Sequence, residues 1–329
     1  MSGRLRIAAS AALLLLALPA AAKDLAVTAY RIENFRLGSA ETRFGRLEFN
    51  GGLDLRSDDD DLGALSAIRF LSPGGRFMGV ADTGFWYFGT IERDDAGRPN
   101  GISAFSMQEM VDRAGRVIGE KWQTDAEGLG VRDGVATASF ERKHRVSEYR
   151  LDEAAMGGPV GEVPFLVPGH ELRDNRGFET VAQSPADGPL AGARVIVSEK
   201  SLDRNGDVFG AVLEGPRKGV FSVARSGEFD ITDGAFLPDG DLILLERAFS
   251  MAEGVRMRLR RIAGDTIAKG ARIDGEILLE ADLTAQIDNM EGLDAWQAPD
   301  GSTMLSLVSD DNHSLLQRTL YLEFRLVAD

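Results

Sequence analysis

The chain has 329 residues, 43% of them hydrophobic and 27% charged, a composition that excludes disordered and fibrous classes. It contains no cysteine, which rules out a disulfide framework, a lipid-modified cysteine anchor and thiolate zinc sites. A formal net charge of −15 argues against nucleic acid as a partner, because phosphate backbones are bound by clustered Lys and Arg.

Residues 1–22 read as a secretory signal peptide. Arg4 and Arg6 precede an apolar run from Ile7 to Leu18, and Ala20-Ala21-Ala22 offers a small-residue cleavage site before Lys23. The run is too short to span a membrane, so the expected location is periplasmic or secreted, with no membrane span. Removing this segment takes away two basic residues and no acid, leaving 35 basic against 52 acidic side chains. Residues 23–329 hold no long linker and read as one domain.

Residues 25–35 and 45–55 are strand-like, and Ser57-Asp58-Asp59-Asp60-Asp61 reads as an acidic surface loop. From Leu65 onward a short theme recurs five times: a small or acidic residue beside Gly or Ala, a turn, then a β-rich run closing on Asp or Glu. The copies open at Leu65-Ser66-Ala67-Ile68, Ala126-Glu127-Gly128-Leu129, Gly177-Phe178-Glu179-Thr180, Thr232-Asp233-Gly234-Ala235 and Met290-Glu291-Gly292-Leu293. The matching runs close on Asp82, Glu141, Glu199, Glu246 and Asp310. Turns such as Pro238-Asp239-Gly240-Asp241 and Ala298-Pro299-Asp300-Gly301 separate the paired strands, and further strands are predicted over 85–92, 146–151, 219–225, 257–262 and 319–327. Residues 102–111 are the best short helical candidate.

Successive copies stand 61, 52, 54 and 58 residues apart. Propeller blades need ~40–50 residues each, with the surplus in loops. The predicted fold is therefore all-β: a β-propeller of five to six blades, each a four-stranded antiparallel sheet. Residues 25–35 and 45–55 either form a sixth blade or complete the last one beside 319–327.

In a propeller the first strand of each blade lines the channel, so the repeated acids are expected to converge at one rim. Crowded carboxylates in a low-dielectric setting repel and require cations, either Arg and Lys or a bound metal. Oxygen-only ligands with just three histidines point to a hard divalent cation, calcium above all. The candidate ligands are Glu127, Glu179, Glu291 and Asp82. Glu199 and Asp310 are candidates for ligand or general base, and His313 for proton transfer. His144, beside Arg142, Lys143 and Arg145, marks a basic spot able to hold an anion or to neutralise Glu141 and Glu148. Asp203-Arg204-Asn205-Gly206-Asp207 has oxygen donors spaced like a calcium loop but lacks the flanking helices and distal Glu of an EF-hand. No Gly-x-Ser-x-Gly elbow, His-Glu-x-x-His motif or phosphate-cradling glycine loop is present.

These motifs resemble those of the secreted "esterase-like activity of phytase" family, whose phytase-like domain is a β-propeller. The resemblance rests on Leu65-Ser66-Ala67-Ile68 with Val80-Ala81-Asp82-Thr83-Gly84, on Asn175-Arg176-Gly177-Phe178-Glu179 with Val197-Ser198-Glu199-Lys200, and on Asn289-Met290-Glu291-Gly292-Leu293 with Ser309-Asp310-Asp311-Asn312. It spans residues 23–329 and implies hydrolysis of an ester or phosphoester. The Asp-Ala-Ala-Asp-Asp-Pro motif of alkaline propeller phytases is missing, which makes phytate a poor substrate. The chain is also broadly similar to calcium-dependent lactonase propellers, which implies a lactone or ester substrate and a channel-bound calcium. The expected partner is a small-molecule ester or phosphoester. The rival expectation is an envelope propeller binding a glycan, peptide or protein, with Phe85, Trp86, Tyr87 and Phe88 as stacking residues.

Overall fold

A computed structural model describes residues 22–173 and 176–327. The predicted signal peptide, apart from Ala22, and Asn175 of the family motif lie outside the described residues. Among the described residues no helix is long and apolar enough to cross a membrane.

The β-rich runs fold into five sheets, one per copy of the theme. Their innermost strands are Leu65–Phe70, Ala126–Arg132, Phe178–Gln183, Asp230–Phe236 and Asn289–Gln297, and these pack side by side around one channel. From the channel outward the first three strands of each blade run in chain order, strand beside antiparallel strand, as short turns dictate. Blades one, three and five take outer strands from elsewhere in the chain, the one in blade three parallel. At Leu237–Asp241 the turn closes through Leu237 N–H to Asp241 O (2.8 Å) and Gly240 N–H to Leu237 O (2.9 Å). Gly240 sits there at φ +90°, a conformation only glycine adopts without strain.

The blade count is five. Strands Thr28–Ile32 and Leu47–Arg56 do not make a sixth blade. Leu47–Arg56 pairs antiparallel with Thr319–Leu326, with Leu47 opposite Leu326 and Leu55 opposite Thr319, and Thr28–Ile32 adds outside it. The fifth blade is thus built from both ends of the described chain.

Alternating apolar residues of each blade face the next, giving five interblade cores. Leu53, Leu55, Tyr321 and Val308 of blade five meet Leu65, Ile68, Phe77 and Tyr87 of blade one. Trp86 and Phe88, on the other face of blade one, pack with Leu129, Phe140 and Tyr149 of blade two. Trp86, Tyr87 and Phe88 are therefore interior residues and offer no stacking surface, while Phe85 is partly buried against the first of these cores.

Residues 102–111 are not helical. Strand Pro99–Glu109 pairs with Phe85–Arg93, and two register shifts break its two-residue alternation, which disguises it in the sequence. The Asp203–Asp207 segment is a plain turn. Asp203 Oδ1 accepts from the N–H groups of Asn205 and Asp207, and Asp207 is engaged by Arg272 at 2.7 Å.

Candidate functional site

All five innermost strands carry a β-bulge near the same end. The extra residue is Ser66, Glu179, Thr232 or Glu291 in four blades, and the Glu127-Gly128 step in blade two. A bulge re-aims its side chain, and repetition around a ring aims five side chains at one mouth. Directly across, Asp82, Glu141, Glu199, Arg247 and Asp310 stand on the second strands or just after them. The first three are tied back by their N–H groups to the carbonyls of Ala64, Asp125 and Gly177. Arg247 and Asp310 pair with Asp230 and Asn289.

Blade four corrects the predicted ring. Thr232, not Asp233, holds the bulge position, and Arg247, not Glu246, holds the rim position. Asp233 turns instead into the channel, where Arg69 donates to both its oxygens at 2.8 Å. Glu246 lies inside blade four between Arg258 and Arg260. At Arg69's level blades two, three and four present the small residues Gly130, Ala182 and Ala235, and blade five presents Asp294, whose Oδ2 accepts the Phe70 N–H at 2.7 Å.

The mouth therefore gathers Asp82, Asp125, Glu127, Glu141, Glu179, Glu199, Glu291 and Asp310, with Arg247 among them. Three of these acids are paired: Asp82 with Lys121 at 2.7 Å, Asp125 with Arg142 at 2.6 Å, and Glu291 with Arg247 at 3.1 Å. Glu127, Glu141, Glu179 and Glu199 form no ion pair among the described residues. One oxygen each from Asp125, Glu127 and Glu141 lies within 4.8 Å of the others, and the same holds for Glu141, Glu179 and Glu199. Glu141 belongs to both groups and accepts the Gly177 N–H at 2.5 Å.

Proton affinities reflect this crowding. Burial, then the neighbouring charges of Glu141 and Asp125, pushes Glu127 well above the usual carboxylate range. Burial and then Glu127 do the same to Glu179. Burial raises Glu141 to about 7 against the opposing Gly177 N–H. It raises Glu291 to about 8, and Asp310 to about 6, despite Arg247 beside the first and the Asn312 N–H on the second. Glu199 is also raised by burial, with Arg247 opposing. Such a set either keeps protons near neutral pH or takes up a cation. Closely spaced, oxygen-only donors suit a hard divalent ion.

Of the predicted ligands, Glu127 and Glu179 fall in the two close groups, Glu291 is held by Arg247, and Asp82 by Lys121. Glu199 joins the second group. Asp310 stands near enough to Asp82 for the two charges to raise Asp310's proton affinity. His313 lies on the exposed turn that follows, its N–H bonded to Asp311 Oδ1 at 3.0 Å and its ring beside Gly63. Asp125 was missed in the sequence, and Arg247 was legible there only as a base following an acid. Asp125 stands two residues before Glu127 and Arg247 directly follows Glu246, but their places on the mouth become visible only once the bulges fix the register.

Fold and site together define a five-bladed β-propeller with a carboxylate-rich channel mouth. Residues 60–313 match the family model described as phytase-like, esterase-like activity of phytase, and the chain belongs to that family. No curated protein matches the chain. Among solved structures, it is similar to an endo-arabinase from Bacteroides thetaiotaomicron (10% identity, 80% of this chain and 94% of that one, TM-score 0.48). It is also similar to a glucose dehydrogenase (10% identity, 86% and 99%, TM-score 0.41) and to an α-L-arabinanase from Cellvibrio cellulosa (12% identity, 76% and 91%, TM-score 0.38).

Proposed function

We propose that this protein is an exported hydrolase of an ester, lactone or phosphoester, with a divalent cation, calcium by its ligand chemistry, held at the channel mouth. The observation that carries this reading is the group of Glu127, Glu141, Glu179 and Glu199, gathered without an ion-pair partner among the described residues. The residues that would hold the ion are Glu141, Glu179 and Glu199, or Asp125, Glu127 and Glu141. When bound, such an ion polarises a carbonyl or phosphoryl oxygen. The chain's own residues supply the rest. Arg247 fixes Glu291 at one side of the mouth and limits the charge facing the substrate. Asp310, at about 6, is tuned to accept a proton from water near neutral pH, with Glu199 as the alternative. The signal-like residues 1–22 support export.

Treatment with a strong chelator is expected to abolish activity on an ester and phosphoester panel. It should also lower the melting temperature by about 5 °C or more, the shift that follows from losing an ion held far above its dissociation constant. Calcium should restore both. Unchanged melting and activity, with no metal in elemental analysis, would end the metal reading.

A further inference from the structure

The basic residues singled out after Glu141 line a separate cleft of about 570 Å³ on the rim of blade two. Arg113, Arg116, Lys143 and Arg145 contribute to its walls, with Tyr149 and Glu162. In a chain with a net charge of −15, most cations are absorbed by acids; here the balance is reversed. Asp112 is spent on Arg116 (2.7 Å) and on the N–H groups of Ala114 and Arg116. Glu162 accepts from Ser147 at 3.0 Å and reaches Arg113 only at 4.0 Å. Lys143 and Arg145 form no ion pair among the described residues.

Arg145 is fixed in place before any ligand arrives. It donates to the carbonyls of Lys143 and Gln123, and its guanidinium lies 3.6 Å over the Phe140 ring. A pre-set guanidinium loses little freedom on binding and offers the paired donors that match a tetrahedral oxyanion. Burial holds its proton affinity below the usual arginine value, with Tyr149 and Glu162 opposing. Burial also pushes the Tyr149 hydroxyl to about 12, so it remains a donor at neutral pH.

We infer that this cleft binds a phosphate-type oxyanion, with Arg145 and Lys143 as its principal contacts and Arg113 as an exposed third. The inference does not depend on a cation at the mouth. The same two segments carry the mouth acids, since Asp125 follows Gln123 by two residues and Glu141 precedes Lys143 by two. Taken with the hydrolytic reading, on which this last step alone rests, the cleft selects substrates that carry an anionic group besides the bond to be cleaved.

The test is calorimetric titration of chelator-treated full-length protein with inorganic phosphate, and separately with glycerol phosphate, at fixed ionic strength. Both are expected to bind saturably. Lys143→Gln and Arg113→Gln should each weaken binding about fivefold, the loss of one charge-assisted contact. Arg150→Gln, an exposed change elsewhere on blade two, should leave it unaltered. Arg145→Lys, which keeps the charge but loses the fork, should weaken it as well, and circular dichroism checks that this variant folds. Absence of saturation up to about 50 mM phosphate, or affinity unchanged from the native protein in both the Lys143→Gln and Arg113→Gln variants, overturns the site. Because chelator is present throughout, failure here is distinct from failure of the metal reading.

Discussion

Replacing Asp233 by Ala is expected to lower the unfolding free energy by about 3–5 kcal/mol, measured by urea denaturation. Arg69 is 6% exposed and Asp233 is fully enclosed, so the substitution takes from a buried guanidinium the carboxylate it is hydrogen-bonded to. The remaining hydrogen-bond acceptors of Arg69 are the carbonyls of Ile68, Leu293, Val181 and Gly234, with Asp294 left as a more distant counter-charge. Asp233 Oδ2 also accepts the Leu293 N–H at 2.8 Å, so blade five loses an anchor. The double replacement Arg69→Met with Asp233→Leu should recover most of the loss, because exchanging a whole buried pair for apolar side chains is often neutral. A loss below about 1 kcal/mol for Asp233→Ala alone would show that water reaches the pair.

Arg247→Met is expected to act in a pH-dependent way. Glu291 has its proton affinity raised from the ordinary 4.5 to about 8 in the folded chain, so the folded state holds a proton that the unfolded state has released across that window. Stability from such a raised carboxyl is fully present below about pH 4.5 and is lost as pH climbs through about 8, on the order of 1 kcal/mol per pH unit for each proton involved. Glu141, raised to about 7, adds to the same slope. Arg247 helps Glu291, the largest of its electrostatic partners, only once that carboxyl is ionised. Its removal should therefore cost about 1 kcal/mol near pH 8.5 and less near pH 5, read from urea unfolding in chelator. An equal cost at both pH values would mean that Arg247 acts through packing. A divalent cation should flatten the slope of the native protein.

The fold was legible because its signals are local. Pro-Asp-Gly turns announce hairpins wherever they occur, and the recurring bulge leaves a small-plus-acid signature at each innermost strand. Blade four shows where such reading stops. Asp233-Gly234 mimics Glu127-Gly128 and Glu291-Gly292, yet the extra residue is Thr232. A slip of one residue along a strand reverses every side chain, which sent Asp233 to Arg69 and Glu246 to Arg258 and Arg260. Counter-charges were hidden for another reason. Arg69 and Asp233 meet across the channel from different blades, and only the assembled ring brings them together. The aromatic run Phe85–Phe88 offered stacking residues in the sequence, and blades two and five, one on each side, cover it instead.

Ring closure has a consequence for how the molecule forms. The strands that shut it, Leu47–Arg56 and Thr319–Leu326, are separated by nearly the whole chain, and the family match over 60–313 contains neither. Until Thr319–Leu326 has been synthesised, Leu47–Arg56 lacks the neighbour it lies against in the blade. The interblade cores on both sides of blade five stay open to water. Assembly must then wait on the most distant contact in the chain, and folding dominated by such contacts is slow. The clasp makes the propeller an object that latches late, its earliest strands coming to rest only when its last ones arrive.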